Sequence, residues 1–219
     1  MRHRHLAAAL ALGLAATSTA AAQPPPGSPA ASAPPQRARG VQVMTLDSPA
    51  WPDGGAIPLK HSQAGRDVSP PLSWRDVPDG VVSYVLIVRD LDAVAPGTGE
   101  ATLHWLVWNI PGVATSLPEG VPQGNAAPPL RRLGGGASPP PTDGLRQISA
   151  TGPSYRGPAA PAAGPPHHYV FELFALDRGV DVPAVGQAPA AMHTAVVAAM
   201  SGHILGKAVR TGLFRRPPL

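Results

Sequence analysis

One acidic and one basic side chain lie at the ends of two apolar runs that follow each other in the sequence. Asp90 follows the run at 84–88, and His104 lies near the start of the run at 103–110. If both runs are strands of one sheet, the carboxylate and the imidazole meet at the same edge. A carboxylate that accepts from one ring nitrogen fixes the tautomer of a histidine and raises the basicity of the other nitrogen. This stretch therefore predicts a directed proton donor or base.

The same residues also permit a structural interpretation. Asp90 and Asp92 can cap backbone amides in a loop, and His104 can be an interior histidine bonded to a carbonyl. On this stretch alone, the structural interpretation is favoured.

A second stretch, residues 155–176, shifts the balance towards binding. Tyr155 and Gly157 lie in a loop, and His167 and Tyr169 follow on one face at the start of an aromatic-rich strand. Hydroxyls, imidazoles and a glycine amide that converge at a loop each offer a hydrogen-bond donor to an anionic oxygen group. The two stretches together predict a site for a small anion.

Strands dominate the elements that must position these residues. The pattern predicts an early strand at 41–46, a short edge strand at 57–61, a proline-kinked extended segment at 67–74 and a final strand at 213–216. A helix is expected to begin at Pro189. Its core-facing stripe has four-residue spacing: Met192, Val196, Met200 and Ile204.

Alternation assigns the side chains of the run at 103–110 to two faces. One face is predicted to carry His104, Leu106, Trp108 and Ile110. Further along the chain, the stretch 122–151 is rich in proline, glycine and polar residues without periodicity, so it is predicted to be a long loop.

The first 40 residues are predicted to lie outside the fold. Residues 1–22 have the basic start, the short apolar middle and the Ala-x-Ala cleavage site of a secretory signal peptide. A retained membrane anchor or a disordered tail is the alternative, and the cleavage pattern disfavours both. Residues 23–40 are mostly Pro, Ala and Ser and predict a disordered tether. One domain is expected at 41–219, in a periplasmic or secreted protein.

Composition removes several classes of function. The chain has no cysteine, which excludes disulfides and thiolate chemistry. Its formal net charge of +4 falls to +2 without Arg2 and Arg4, so no nucleic-acid partner is expected. The triple glycine at 134–136 lacks the strand and helix of a phosphate-binding loop, and no His-Glu-x-x-His pair is present. We therefore expect neither a cofactor nor a bound metal.

Five motifs occur in the order in which a known family has them. They lie at 67–74, 90–93, 104–111, 155–158 and 167–171. Together they resemble the phosphatidylethanolamine-binding protein family, and in particular its bacterial branch, often labelled Raf kinase inhibitor-like. The resemblance implies a mainly β fold, with a large central antiparallel sheet packed against a smaller sheet, plus a C-terminal helix. It also implies a small pocket for phosphate, acetate or a phosphorylated headgroup at one end of the large sheet.

The resemblance also implies which residues form that pocket. Matched motif by motif, they are Asp90, His104, Tyr155, Gly157, Pro158, His167 and Tyr169. The chain departs from the family at its rim: Leu91 and Val94 stand where prolines are usual, and His168 replaces the usual arginine. These departures concern the identity of the ligand more than the fold.

The favoured function is an exported protein that binds a small anionic ligand, since no nucleophile for catalysis is evident. His104 and His167 would donate to the anion. Tyr155 or Tyr169 would add a third bond, while Asp90 would orient an imidazole. Affinity would be modest and would fall as the pH rises past the pKa values of the histidines. Peripheral contact with lipid headgroups is a further expectation.

Two alternatives stay open at this point. An acid/base enzyme would use the Asp90/His104 pair. A protease-inhibitor-like modulator would bind a protein partner of unknown identity through the 122–151 loop.

Overall fold

The computed structural model describes residues 40–125, 144–184 and 188–218. In chain order, the elements are β1 (Gln42–Val43), β2 (Thr45–Asp47), a 3₁₀ turn (Leu59–His61), β3 (Leu72–Arg75), β4 (Ser83–Val94), β5 (Ala101–Pro111), β6 (Ser116–Leu117), β7 (Arg146–Ile148), β8 (His167–Leu176), α1 (Pro189–Met200) and β9 (Ile204–Phe214). The predicted signal peptide at 1–22 and the predicted tether at 23–40, apart from Gly40, lie outside the described residues.

Six strands form the large sheet, in the order β1-β9-β8-β4-β5-β7. Adjacent strands of this sheet pair antiparallel, except that β1 runs parallel to β9. Strands β2, β3 and β6 form the smaller antiparallel sheet. The expected architecture is confirmed, with the refinement that the large sheet is mixed at one edge.

Strand β4 lacks alternation because both of its faces are covered. Tyr84, Leu86 and Val88 belong to the core between the two sheets, while Val85 and Ile87 pack in a second core under helix α1. All five side chains are at most 3% exposed. Full burial of a large apolar side chain contributes roughly 1.5–3 kcal/mol, so this strand holds both layers together.

Helix α1 begins at Pro189, where the missing N–H has no intrahelical partner to lose. Met192, Val196 and Met200 are buried, which confirms the predicted stripe for these three residues. The helix ends there, and Ile204 instead begins β9. Within the described ranges, no helix is long and apolar enough to cross a bilayer.

The predicted faces of β5 are wrong at both ends of the strand, at Ile110 and at His104. Asn109 has a φ of 57°, a left-handed conformation that interrupts the pleat. Ile110 therefore packs in the core between the sheets, whereas Leu106 and Trp108 face the second core with α1.

Strand β9 is much longer than the final strand predicted at 213–216. The first part of β9 was not predicted because Gly206 and Gly212 interrupt the strand pattern. Both positions are glycine because other chain segments pack closely against β9 there. A Cβ at Gly206 would lie 2.7 Å from Sδ of Met44, and one at Gly212 would lie 2.8 Å from Nε1 of Trp51. Strand periodicity is lost where the packing demands glycine.

Three further segments differ from the sequence-based expectations. The stretch 41–46 divides between two sheets, as β1 and β2. Residues Leu59–His61 form a 3₁₀ turn instead of an edge strand. Strand β7 lies within the predicted loop 122–151 and pairs with β5, while residues 126–143 of that loop lie outside the described part of the chain.

The strand directions define two ends of the large sheet. Asp90 pairs with Tyr169, and Tyr169 pairs with Gly212 near the end of β9. Gln42 pairs with Gly206, six residues earlier on β9, or roughly 20 Å away at about 3.4 Å per residue. The chain therefore joins the domain, at Gly40, towards the end of the sheet opposite Asp90.

Candidate functional site

A cavity of about 370 Å³ lies at the end of the large sheet where β4 ends and β5 and β8 begin. Its polar lining residues are Gln63, Asp90, Thr102, His104, Arg156 and His167. Two larger hollows, of about 490 and 590 Å³, lie elsewhere, and no histidine lines either of them. Asp90, His104 and His167, which the sequence singled out, thus converge on the smallest of the three.

Asp90 supplies the carboxylate of the site, and its side chain is only 4% exposed. It accepts from the backbone N–H of Asp92 at 2.9 Å and from Nδ1 of His167 at 2.9 Å. The buried carboxylate therefore has two hydrogen-bond donors, as such a group requires away from water.

The carboxylate of Asp90 forms a hydrogen bond with His167. The sequence predicted His104 as its partner, and that prediction is wrong. His104 instead directs Nδ1 to the carbonyl oxygens of Arg156, at 2.9 Å, and Gly157, at 3.1 Å. Because carbonyls only accept, Nδ1 of His104 carries a proton. The Asp90/His104 pair proposed for an acid/base enzyme is thus absent, and the carbonyl-bonded interpretation holds for this nitrogen.

An irregularity in strand pairing explains the orientation of His104. The register of β4 against β5 shifts between Val88 and Arg89, so strict alternation is lost there. The ring of His104 packs edge-on against Tyr169, with 5.1 Å between centroids. The face predicted for His104 is therefore wrong, since Tyr169 belongs to the core between the two sheets.

Burial is the main influence on the charge of His104. It lowers the pKa of His104 below its usual value, against the carbonyl bond to Arg156 and the charge of Asp90, which both raise it. The positive charge of Arg156 lowers the pKa further. At about pH 7 the ring is therefore neutral.

Both imidazoles line the cavity and form their hydrogen bonds to the protein through Nδ1. Within the described ranges, no group forms a hydrogen bond with Nε2 of His104 or of His167. Neither nitrogen is fully buried. Among the described residues, the histidine ring nitrogen that is fully buried and has no hydrogen-bond partner is Nε2 of His61. A ring held in this way presents a lone pair when neutral and an N–H donor when protonated.

The two tyrosines predicted for the site, Tyr155 and Tyr169, are not among the residues that line the cavity. Tyr169 accepts the backbone N–H groups of Ala159 and Ala160, each at 3.2 Å. Burial and then the neighbouring carboxylate raise the pKa of Tyr169. Tyr155 donates its hydroxyl to the carbonyl of His61 at 2.8 Å, and burial raises the pKa of Tyr155 well above its usual value. Both hydroxyls are thus already committed to protein groups.

Gly157 and Pro158 attach the wall to the loop that follows the 3₁₀ turn. The N–H of Gly157 donates to Asp67 at 2.6 Å, and its carbonyl accepts from Nε2 of Gln63 at 2.7 Å. The carbonyl of Pro158 accepts the N–H of Gln63 at 3.0 Å. A Cβ on Gly157 would collide with the carbonyl of His61 and lie 2.7 Å from Oδ1 of Asp67, so only glycine fits.

A second Asp–His pair lies outside the cavity, at the exposed rim. Asp92 accepts both the backbone N–H of His168, at 2.6 Å, and Nδ1 of its ring, at 2.8 Å. The bond from the backbone N–H is the main cause of the lowered pKa of Asp92. The histidine that replaces the family's arginine thus still links β8 to the end of β4. Beside it, Leu91 and Val94 are 53% and 67% exposed.

Sequence reasoning missed three polar lining residues: Gln63, Thr102 and Arg156. Only Arg156 carried a signal, since it stands between Tyr155 and Gly157, which the motif had already marked. Gln63 reaches the cavity through the fold, 94 positions from its partner Gly157, so no local pattern could have indicated it.

Two packed sheets with a helix at the C-terminal side and a cavity at one end of the larger sheet define a fold known from solved structures. Escherichia coli YbcL, described as a new member of the mammalian PEBP family, superposes with a TM-score of 0.61 at 24% identity, over 79% of this chain and 98% of YbcL. Chlamydia trachomatis CT736, described as a candidate phosphatidylethanolamine-binding protein homologue, gives 0.59 at 30% identity, over 80% and 99%.

Sequence comparison identifies the family. A model of the phosphatidylethanolamine-binding protein family matches residues 47–215. A UPF0098 protein of Methanothermobacter thermautotrophicus is 37% identical over 173 residues, which cover 79% of this chain and 99% of that protein. The chain belongs to the phosphatidylethanolamine-binding protein family, as the five motifs predicted.

A further relative bears on location. LppC of Mycobacterium tuberculosis, which is named as a candidate lipoprotein, is 31% identical over 178 residues, covering 81% of this chain and 75% of LppC. The bacterial sources of LppC, YbcL and CT736 are consistent with the predicted bacterial branch of the family.

Proposed function

We propose that the protein is exported and binds a small anionic ligand, such as a phosphate group, in the cavity beside His104 and His167. One observation carries the proposal: two imidazoles that line the same cavity are fixed through Nδ1 and keep Nε2 without a partner among the described residues, and Arg156 lines that cavity as well. Export is supported by the signal-peptide pattern at 1–22 and by the likeness to a relative named as a candidate lipoprotein.

Each group would have a distinct task. Arg156 brings a permanent positive charge that attracts an anion. His104 and His167 would donate through Nε2 once protonated, and Asp90 would hold the ring of His167 in place. Charge-assisted hydrogen bonds contribute about 1.5–3 kcal/mol each, so two or three of them support a modest affinity after immobilisation of the ligand.

The test is an NMR titration of the chain from residue 23 onward with inorganic phosphate, following the histidine ring signals. We expect saturable shifts for His104 and His167, and at least a tenfold loss of affinity in His104→Ala. His203→Ala is the matched control, because His203 forms a similar Asp–His pair with Asp177, at 2.8 Å, where β8 ends. That variant should bind phosphate as the unaltered chain does.

Two results would count against the anion site. Ring signals of His104 and His167 that stay fixed at saturating phosphate would remove it altogether. Equal losses in His104→Ala and His203→Ala would indicate a general effect of charge and not binding in the cavity.

A further inference from the structure

We propose that His61 is an acid-sensitive switch that controls one wall of the cavity. Protonation of its ring would release the segment 59–68 from the loop 155–158 and open the cavity beside Gln63, which lines it. His61 itself is not among the residues that line the cavity. The inference therefore does not depend on which ligand the cavity binds.

The first observation is the state of the buried ring. His61 is 0% exposed, and its Nδ1 lies 2.8 Å from the carbonyl oxygen of Val68. Because a carbonyl only accepts, Nδ1 carries the proton of the neutral ring. Nε2 is fully buried and has no hydrogen-bond partner among the described residues. A second proton would thus create a buried charge and a buried N–H donor without an acceptor.

The charged groups around His61 do little to compensate a protonated ring. Lys60 and Arg66, on the same segment, add positive charge, and Glu119 after β6 is already paired with the ammonium group of Lys60 at 2.7 Å. The hydroxyl of Tyr155 is directed to the backbone carbonyl of His61. Burial is the main cause of the lowered pKa of His61; the two cations lower it further, whereas the carbonyl bond and the carboxylate raise it.

The second observation is that the segment around His61 holds the wall loop in place. Gln63 lies two residues after His61 and donates twice to the loop 155–158. Its backbone N–H donates to the carbonyl of Pro158 at 3.0 Å, and its Nε2 donates to the carbonyl of Gly157 at 2.7 Å. A rearrangement around His61 would therefore break bonds that fix the wall.

Further hydrogen bonds extend this connection to the candidate site. The hydroxyl of Tyr155 donates to the carbonyl of His61 at 2.8 Å, and the N–H of Gly157 donates to Oδ1 of Asp67 at 2.6 Å. The carbonyl of Gly157 also accepts from Nδ1 of His104 at 3.1 Å. A change at His61 would thus reach His104 through Gly157.

Linkage gives the sign and the limit of the effect. In an opened segment the ring of His61 has the ordinary pKa of about 6.5, whereas burial lowers the pKa in the closed form. Below about pH 6.5 the opened form binds more protons, so opening is favoured up to tenfold for each pH unit until the lowered pKa is reached. Between about pH 7.5 and 5.0 the opening equilibrium therefore increases by at most about thirtyfold.

Hydrogen exchange followed by NMR tests the switch in the chain from residue 23 onward. Protection factors, which remove the pH dependence of the exchange chemistry itself, would be measured for the amides of Gln63 and Gly157 at about pH 7.5 and 5.0. We expect both to fall at least fivefold at the lower pH. The amide of Gly112 is the internal control, since it donates to the carbonyl of Val82 at 2.9 Å at the opposite end of the sheet. Its protection should change less than twofold.

Two substitutions remove the titration of His61 in different ways, so the test stands if one of them does not fold. His61→Asn keeps a side-chain N–H that can donate to the carbonyl of Val68, and His61→Phe keeps a ring of similar size. In either variant the pH-dependent loss of protection at Gln63 should shrink below twofold. His193→Asn is the matched control, because burial also lowers the pKa of His193 but the residue lies on α1. That variant should keep the fivefold loss.

Three results would overturn the inference. Protection at Gln63 that does not change with pH in the unaltered chain would show that the protonated ring is tolerated. An equal loss at Gly112 would indicate general destabilisation by acid. A loss at Gln63 that persists in both His61 variants would assign the effect to another group.

Discussion

Burial favours the neutral form of His104, whereas binding of an anion requires its protonated form. Its pKa is lowered in the folded chain, chiefly by burial, so the unfolded chain takes up more protons below about pH 6.5. The contribution of His104 to the free energy of unfolding is therefore complete above about pH 6.5 and is lost as the pH falls towards the lowered pKa. A bound anion would oppose that loss by pairing with the protonated ring.

This sign leads to a prediction for thermal stability. Sulfate stays dianionic across the range, so its effect reports on the protein alone. A fixed sulfate concentration should raise Tm more at about pH 5.5 than at about pH 7.5, and this difference should shrink in His104→Ala. Differential scanning calorimetry of both chains at both pH values measures it. An equal rise at both pH values in the unaltered chain would contradict the assignment.

Tyr155 was expected in the ligand site, and its contacts predict a contribution to stability. In Tyr155→Phe the carbonyl of His61 loses the donor that lies 2.8 Å away in a buried setting, which should lower the free energy of unfolding by about 1–3 kcal/mol. Tyr84→Phe is a matched control, since the hydroxyl of Tyr84 lies 3.4 Å from its acceptor in Gly112. Denaturant unfolding should show the smaller loss for Tyr84→Phe, and the reverse order would refute the assignment.

The sequence indicated three residues that lie together but not how they form hydrogen bonds. The motifs indicated Asp90, His104 and His167, and these three do converge on one cavity. The partner of each imidazole depended on a register shift in β5 and on the path of the loop at 155–160, neither of which has a local signature. Pairings set by irregular backbone therefore escaped prediction.

The wall loop depends on a glycine that brings two backbones together. In Gly157→Ala the new Cβ would press on the carbonyl of His61 and on Asp67, and the displaced carbonyl of Gly157 would move away from His104. We expect a loss of at least about 2 kcal/mol in the free energy of unfolding, together with weaker phosphate binding.

The matched control for this substitution is Gly179→Ala. A Cβ there would meet Oδ1 of Asn109 at 3.6 Å, which is ordinary van der Waals contact, so stability should change little. Urea unfolding of both variants tests the comparison, and equal losses would refute the close-approach explanation.

At the scale of elements, prediction succeeded where a pattern reflects burial alone. The apolar run of β4, the stripe of α1 and the strand of β8 follow directly from covered faces. It failed where a residue type serves a crossing segment, as at Gly206 and Gly212 in β9, or where two residues suffice for a strand, as in β1. Such elements exist because of distant neighbours, and local sequence does not record them.

For the whole molecule, the order of the motifs was more informative than any one of them. Each of the five is short, yet their sequence along the chain indicated the family, which the match over residues 47–215 shows. Net charge and hydropathy gave no comparable guidance, since the chain is only weakly basic and its mean hydropathy is +0.00. The order of the motifs therefore identified the fold even though the bounds of several strands were predicted wrongly.

The two ends of the large sheet give the domain a fixed polarity. The polypeptide enters at Gly40, near the first residues of β9, whereas the cavity opens beyond the pairing of Asp90 with Tyr169. A dye coupled directly at position 40 would therefore lie at the end of the sheet opposite the cavity, where it should leave the candidate site unobstructed.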